Sequence, residues 1–244
     1  MEGKIVVVTG AATGLGQAFA EGFAKAGADV ATIDLGDVGE TERRVTGTGR
    51  RFAAHRGDIS EAGEVERFAA LVHERLGRVD VVVNNAGVFR RIPFDEIDLA
   101  TWRSFFAVNV DGAFLTTKAF ADDLRASRAG RVINLSSSSV SLNVPDFVHY
   151  ITTKAALIGF TSSLAAILGK DGVTVNAIAP GLVRTPGTEL HDSDETFAAI
   201  ASMQAIHRAQ MPADIVGTAL FLASDDAAMI SGQTIAVDGG LTRR

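Results

Sequence analysis

Short apolar runs alternate with longer stretches of helical periodicity along most of the chain. The apolar runs are rich in valine and isoleucine and are mostly continuous, which is typical of strands that are covered on both faces. They predict strands at 5–8, 30–34, 51–55, 79–83, 132–135, 173–178 and 234–237. The stretches between them predict helices near 15–26, 61–76, 101–126, 148–169 and 212–223. Strand–helix alternation of this kind predicts an α/β fold built on an open, parallel, doubly wound sheet.

One interruption of this alternation falls at 185–211. The stretch is polar over 185–195 and becomes helical over 197–205. Insertions of this length in a compact fold are often lids over a site. No linker, repeat or low-complexity tract divides the rest of the chain. The sequence therefore predicts a single domain over 1–244 with a substrate lid at about 185–211.

Composition narrows the classes of function. The 244 residues are 47% hydrophobic and 21% charged, as in globular proteins. A formal net charge of −6 argues against nucleic acid as the main partner, because phosphate binding needs a basic face. The absence of cysteine excludes disulfides and thiol nucleophiles and suits a reducing cytoplasm. The five histidines show no metal-ligand spacing, and no apolar run resembles a signal peptide or a membrane span. We therefore expect a cytoplasmic protein with no catalytic metal and no membrane partner.

A glycine-rich turn follows the first predicted strand and opens the first predicted helix. Gly10, Gly14 and Gly16 are spaced as Gly-x-x-x-Gly-x-Gly, and no Gly-Lys-Ser or Gly-Lys-Thr follows them. Glycines at such a turn let backbone N–H groups approach a pyrophosphate at the helix N-terminus. Together with Asp34 at the end of the second predicted strand, the turn predicts a dinucleotide site. A carboxylate there accepts the ribose hydroxyls of NAD and repels the 2′-phosphate of NADP; a solvated strand end is the alternative interpretation of Asp34.

The chain holds a single tyrosine, Tyr150, and Lys154 follows it four positions later. On a helix that spacing places both side chains on one face. A nearby ammonium lowers the pKa of a phenol and makes it a candidate general acid/base. Such pairs are usually structural, but a run of four serines at 136–139 follows the strand at 132–135, where ligands bind in open α/β sheets. The combination indicates a catalytic site.

Ordered motifs along the chain resemble those of the single-domain short-chain dehydrogenase/reductases over essentially the full length. They are the turn at 9–16, Asp58, the segment 84–87, Asn109, the serine run, and the segments 150–154, 180–181 and 232–240. The resemblance implies a Rossmann-type fold and an oxidoreductase that transfers a hydride between NAD(H) and a secondary alcohol or ketone. The segments 149–185 and 236–244 resemble most the NAD-dependent secondary-alcohol dehydrogenases, such as those acting on (S)-1-phenylethanol, and then the pyridoxal 4-dehydrogenases. Sugar or polyol dehydrogenases, 3-oxoacyl reductases and, in another class, a non-catalytic dinucleotide sensor remain alternatives.

The resemblance also implies a role for each site residue. Tyr150 exchanges a proton with the substrate oxygen, and Lys154 lowers its pKa and binds the nicotinamide ribose. Ser137 stabilises the substrate oxygen, with its neighbour Ser138 as the alternative. Asn109 interrupts its helix and holds a water that links Lys154 to solvent. The implied cofactor contacts are Gly10, Thr13, Gly14, Leu15, Gly16, Asp34, Asp58, Ile59, Asn85, Ala86, Gly87, Tyr150, Lys154, Pro180, Gly181, Val183 and Thr185.

The expected substrate pocket is mainly apolar, which suits an aromatic or apolar secondary alcohol. Arg90 and Arg91 fall near its expected mouth, either as surface charges or as a receptor for an anionic group. Small residues along the helix at 148–169 permit close helix packing, and with the family resemblance they imply a homotetramer. The candidate pocket residues are Phe89, Ser139, Leu142, Val144, Leu182 and the lid residues Leu190, Phe197 and Met203.

Overall fold

A seven-stranded parallel sheet forms the centre of the computed structural model, which describes residues 1–127 and 129–242. The strand order is β3-β2-β1-β4-β5-β6-β7, so the chain winds outward from β1 in both directions. This order confirms the predicted doubly wound α/β fold. The strands are β1 Ile5–Val8, β2 Asp29–Asp34, β3 Phe52–Arg56, β4 Val81–Asn84, β5 Arg131–Leu135, β6 Thr174–Pro180 and β7 Thr234–Val237.

Helices cover both faces of the sheet. They are α1 Gly14–Lys25, α2 Gly39–Thr46, α3 Ala62–Arg75, α4 Leu99–Phe106, α5 Gly112–Ala119, α6 Ala121–Ala126, α7 Val148–Leu168, α8 Pro186–Glu189, α9 Asp194–Met203 and α10 Ala213–Leu222. Short 3₁₀ turns lie at Phe94–Glu96, Ser138–Ser141, Gly169–Asp171 and Asp225–Ala227, and one π turn lies at Ala107–Asp111.

Two helical predictions need correction. Helix α2 was not predicted, because it is short and polar and buries only Thr41 and Val45. The single helix expected over 101–126 is broken into three by the π turn and by a second break at Phe120. Asn109 is the buried residue of the π turn, so the expected interruption at this residue is present.

The apolar core consists of two layers, one on each face of the sheet. Val6 and Val8 of β1 pack with Phe19 and Phe23 of α1 in one layer. Val7 of the same strand faces the other layer, with residues of α3 and α6. Because successive strand residues point to opposite faces, a strand covered on both sides must be apolar at every position. This explains the continuous runs from which the strands were predicted.

Helix α7 carries the tyrosine and the lysine singled out above. By length and composition the helical stretch Val148–Asp171 could also cross a membrane. Its inner face instead packs against β6 and buries Lys154, Leu157 and Leu168, as expected of a core helix in this fold. The helix therefore fixes its polar groups against the carboxyl ends of the central strands.

Candidate active site

A cavity of about 520 Å³ opens at the carboxyl ends of the central strands. It runs from the glycine turn after β1 to the lid segment after β6. Every predicted cofactor contact lines this cavity, and so do Ser137, Ser138, Tyr150 and Lys154. Asn109 does not line it but lies directly behind, against Gly87 and Val88. The structure thus gathers residues that are far apart in sequence at one edge of the sheet.

The glycine turn between β1 and α1 has the geometry that a bound pyrophosphate requires. Gly10 has a φ of +71°, and a Cβ on it would lie 2.8 Å from the Cα of Ala86. A Cβ on Gly16 would overlap the carbonyl oxygen of Gly10. Thr13 precedes α1 without a side-chain cap, and the first helical turn holds no acidic residue. The N–H groups of that turn are therefore free to bind an anion.

Asn85 supports this turn instead of pointing away from it. Its side-chain amide donates to the carbonyl oxygens of Thr9 and Gly10, at 2.9 and 3.0 Å. The Thr9 hydroxyl in turn accepts the backbone N–H groups of Asn85 and Ala86. These bonds tie the loop after β4 to the loop after β1, so the two walls of the cavity are held together.

Two carboxylates mark the far end of the cavity. Asp34 accepts the N–H of Ala12 at 2.7 Å and that of Gly36 at 2.8 Å. A carboxylate has about four acceptor positions, so two remain for a ribose diol. Asp58 accepts the N–H and the hydroxyl of Ser60 through one oxygen, which leaves its second oxygen for an exocyclic amine. These residues fit the adenosine end of a dinucleotide.

Tyr150, Lys154 and Ser137 converge at the opposite end. The Lys154 Nζ lies 5.6 Å from the centroid of the Tyr150 ring and donates to the carbonyl of Leu135 at 2.7 Å. Ser137 lies close enough to Tyr150 for its hydroxyl to lower the pKa of the phenol. A proton donor, a cation and a second hydroxyl are thus placed around one point of the cavity. This arrangement can stabilise charge that develops on a substrate oxygen.

The two titratable groups do not have the pKa values expected from the sequence. Burial raises the pKa of Tyr150 to about 12, opposed by the hydrogen bond from Ser137. Burial also lowers the pKa of Lys154 to about 8. Lys154 therefore loses its proton well before Tyr150 does, and an uncharged amine lies beside the phenol when the phenol titrates. Burial thus outweighs the lowering that was expected from the neighbouring lysine.

Hydrogen bonds distinguish the four serines of the run. Ser137 accepts the N–H of Ser139 at 3.2 Å and its hydroxyl at 2.8 Å, so its own proton is available to donate. Ser136 donates to the carbonyl of Lys154, and Ser138 is buried. The geometry favours Ser137 over Ser138 as the partner of the substrate oxygen.

The π turn holds Asn109 against the loop after β4. The Asn109 amide exchanges hydrogen bonds with the backbone of Val88, at 2.8 and 3.0 Å, and donates to the hydroxyl of Thr153 at 2.9 Å. A Cβ on Gly87 would lie 3.1 Å from its oxygen and 3.4 Å from Lys154 Nζ. Asn109 thus positions the segment that borders Lys154, and its role toward a water stays a prediction.

Aromatic rings form the substrate half of the cavity. The Tyr150 ring lies 6.4 Å from Phe89 and 5.3 Å from Phe147, measured between centroids. Phe147 was not predicted, although its position one helical turn before Tyr150 is a usable signal. The expected pocket residues Phe89, Ser139, Leu142, Val144 and Leu182 all line the cavity.

The lid residues were predicted incorrectly. Leu190 and Met203 point outward, with 80% and 56% of their surface exposed. Phe197 is buried, but it packs beneath the Arg184 guanidinium at 4.2 Å and does not line the cavity. The register of the lid turns a different set toward the cavity, consisting of Gly187, Thr188, Asp192, Thr196 and Ile200.

The segment that enters the lid is fixed by local hydrogen bonds. Thr185 caps α8 and accepts the N–H of Thr188 at 3.2 Å. The Thr188 hydroxyl donates to the carbonyl of Val183 at 2.8 Å, so one acceptor position of that carbonyl remains for another donor. The segment that was expected to form a lid therefore begins with a hydrogen-bonded turn.

The loops after β4 and β5 are connected to each other at the mouth of the cavity. Ile92 donates its N–H to the carbonyl of Asp146 at 2.9 Å, and the His149 Nε2 lies 2.9 Å from the carbonyl oxygen of Arg90. Asp146 has a φ of 60°, which is rare for a residue other than glycine. This bend directs Phe147 into the cavity. Arg91 lines the cavity, whereas Arg90 does not.

Known proteins are similar to this chain over nearly its full length. Residues 10–242 match a family model described as enoyl-(acyl carrier protein) reductase. A D-threitol dehydrogenase from Mycolicibacterium smegmatis is 36% identical over 99% of this chain and 94% of its own length. A 2-dehydro-3-deoxy-D-gluconate 5-dehydrogenase from Dickeya dadantii is 34% identical over 100% of this chain and 97% of its own length. A glucose/ribitol-type short-chain dehydrogenase/reductase from Brucella melitensis superposes with a TM-score of 0.92 at 30% identity, over 100% of this chain and 98% of its own.

Proposed function

Because the chain belongs to the short-chain dehydrogenase/reductase family, we propose that it interconverts a secondary alcohol and its ketone with NAD(H) as the cofactor. The observation that carries the proposal is the convergence of Tyr150, Lys154 and Ser137 at one end of a cavity whose other end fits adenosine. The family's members act on CH–OH groups as nicotinamide-dependent dehydrogenases, and these residues supply the acid, the base and the hydrogen bond that such a reaction needs.

The nicotinamide cofactor, when bound, supplies or accepts the hydride. Tyr150 donates its phenolic proton to the ketone oxygen in reduction and accepts the hydroxyl proton in oxidation. Ser137 donates a hydrogen bond to the same oxygen and stabilises the charge that develops on it. Positioned acid/base catalysis of this kind contributes roughly 10²–10⁴-fold to a rate.

The buried lysine makes the proposed reaction depend on pH. At neutral pH Tyr150 is protonated and Lys154 is charged, because their pKa values are about 12 and about 8. A protonated phenol beside an ammonium suits proton donation, and therefore ketone reduction. Ketone reduction leaves a phenolate beside Lys154, and an ammonium there stabilises that charge, so the proposed reduction should slow as Lys154 loses its proton.

Asp34 supports NAD as the preferred cofactor. Its carboxylate is fixed by two backbone N–H groups at the end of β2, where a 2′-phosphate of NADP would meet a negative charge. Arg56 lies nearby, but its Nε donates to the carbonyl of Leu35 and its side chain does not line the cavity. The position of Arg56 outside the cavity lining supports NAD over NADP.

The rings and aliphatic groups around Tyr150 favour a substrate with an apolar or aromatic body. Phe89, Phe147, Leu142 and Val144 surround the space beside the phenol. A sugar or polyol substrate is the second candidate. It is favoured by the relative named for D-threitol and by hydroxyl side chains that line the same cavity, including Ser139 and Thr196.

Assay of NADH formation at alkaline pH separates these candidates. The panel holds both enantiomers of 1-phenylethanol, aliphatic 2-alcohols, pyridoxal, D-threitol and galactitol, each with NAD and with NADP. Turnover of one aryl alcohol enantiomer with NAD supports the first proposal. Turnover of the polyols alone replaces it with the second, and preference for NADP contradicts the assignment to Asp34.

We also propose that the chain forms a homotetramer in the cytoplasm. The outward face of α7 is a line of small exposed residues that includes Ala155, Gly159, Ser163 and Ala166. A second copy of the helix can approach such a face closely. Light scattering at micromolar concentration tests the proposal, and a monomer mass contradicts it.

A further inference from the structure

Arg91 is an unusual group at the mouth of the substrate half of the cavity. Among the described residues that line the cavity, the cationic side chains are Lys154 and Arg91. Lys154 is buried and directs its Nζ to the carbonyl of Leu135. Arg91 therefore provides the positive charge that a substrate can meet away from the phenol.

The Arg91 guanidinium is held in place by an aromatic ring. Its Cζ lies 4.8 Å from the centroid of Phe147, and the Tyr150 ring lies 5.3 Å from the same centroid, in a T-shaped arrangement. The guanidinium and the reactive phenol thus both contact one phenyl group. A substrate whose carbinol lies at Tyr150 and whose body lies along Phe147 brings its far end to Arg91.

The guanidinium still has hydrogen-bonding capacity. Among the described residues its ion-pair partner is Asp192, at 3.3 Å from Nη2, and 46% of its side chain is exposed. A guanidinium has five N–H donors in a fork that matches a carboxylate. Asp192 is only 10% exposed and uses one of these donors, so a second carboxylate has donors to bind.

We propose that Arg91 recognises an anionic, carboxylate-type group on the substrate, at the end opposite the carbinol. The proposal rests on the proposed alcohol–ketone activity and names the substrate class more closely: an oxo or hydroxy acid with an apolar body about the size of a phenyl ring. Stacking on Phe147 orders the guanidinium before the substrate arrives, which reduces the entropic cost of binding. The Asp192 carboxylate lies beside this position and opposes a substrate carboxylate there through like charge.

A pair of ketones with the same shape and different charge tests the proposal. The measurement is kcat/KM with NADH for 4-acetylbenzoate and for its methyl ester, in the wild type, in Arg91→Gln and in Arg90→Gln. The wild type should prefer the carboxylate by roughly 10- to 100-fold, the range for charge-assisted hydrogen bonds. Arg91→Gln should abolish this preference for the carboxylate. Arg90→Gln should keep it, because Arg90 is adjacent in sequence but lies outside the cavity. Equal values for acid and ester in the wild type, or a preference that survives Arg91→Gln, overturns the proposal.

The variant Asp192→Asn distinguishes two roles of Arg91: binding of the substrate carboxylate, and attachment of the segment after β6 through the ion pair with Asp192. If Arg91 receives the substrate, removal of the competing carboxylate lowers the KM for 4-acetylbenzoate and leaves that of the ester unchanged. If the ion pair only holds the lid, the KM of both ketones rises together, and this result contradicts the proposal.

A lack of turnover with both ketones counts against the proposed activity on this class and not against anion recognition. Binding then decides the inference, through the change that 4-acetylbenzoate causes in the fluorescence of enzyme-bound NADH. Binding that is lost in Arg91→Gln supports the proposal. Binding that is absent in the wild type, or equal in the variant, overturns it.

Discussion

Tyr150 can be titrated directly, because it is the single tyrosine of the chain. Tyrosinate absorbs in the near ultraviolet where tyrosine does not, so a pH titration of this absorbance follows one known side chain. Burial raises the pKa of Tyr150 to about 12 from its ordinary value of 10.0. At roughly 1.4 kcal/mol per unit, the fold favours the neutral phenol by about 3 kcal/mol.

The titration should therefore show little tyrosinate in the folded protein at about pH 11, roughly a tenth of the total. The same sample in guanidinium chloride should be mostly ionised at that pH. Stability linked to this group is fully present below the ordinary pKa and is lost as the pH rises toward about 12. Far-ultraviolet circular dichroism, recorded on each sample, establishes that the fold is intact.

Two variants make the titration decisive. Tyr150→Phe should abolish the absorbance change, which verifies the assignment. Lys154→Met should leave the midpoint within about half a unit, because Lys154, with a pKa of about 8, is already neutral when the phenol ionises. A midpoint near pH 10 in the folded wild type, or a clear rise in Lys154→Met, would refute this account of the pair.

Three other predictions concern the lysine, the cofactor and the assembly. The kcat/KM for ketone reduction should fall above about pH 8, the pKa of Lys154, because the phenolate formed in the reaction then lacks a neighbouring ammonium. This inflection should vanish in Lys154→Met, and an unchanged profile in the variant contradicts the role of the lysine. Asp34→Asn should raise the KM for NAD and improve kcat/KM with NADP by about 10-fold, because the carboxylate no longer repels the 2′-phosphate. Asp37→Asn, at an exposed position nearby, is the matched control, and an equal effect in this variant would show that Asp34 does not select the cofactor. Gly159→Trp should dissociate the proposed tetramer without unfolding the chain, since nothing lies within 4 Å of a Cβ at that position. Light scattering measures the mass, with Gly63→Trp on α3 as the control, and an intact tetramer in Gly159→Trp excludes the outward face of α7 as the contact.

The sheet could be predicted because its strands are buried on both faces. Val6, Val7 and Val8 serve two core layers at once, and this leaves a continuous apolar run in the sequence. Helix α2 has no such signal, because it lies at the surface and contributes only two buried side chains. A strand that is buried on both faces can thus be predicted from its continuous apolar run, whereas a short surface helix leaves no comparable pattern in the sequence.

The residues around the cavity could be predicted where the backbone itself is constrained. The conformation of the glycine turn and the shared helix face of Tyr150 and Lys154 follow from local geometry. The residues of the turn and both side chains line the cavity as expected. The side chains of the expected lid that face the cavity could not be predicted in the same way. Phe197, for example, is apolar but packs beneath the Arg184 guanidinium and not in the cavity. The pKa of Tyr150 likewise depends on the depth of burial, which spacing along a helix does not reveal.

The proposed function depends above all on proton transfer by Tyr150 in a nicotinamide-dependent reaction. The most direct test compares NAD-dependent turnover of the best alcohol by the wild type and by Tyr150→Phe, with NADH binding measured on both by fluorescence. We expect the variant to bind NADH as the wild type does and to lose turnover by roughly 10²-fold or more. Turnover close to that of the wild type in Tyr150→Phe, with cofactor binding intact, would contradict it.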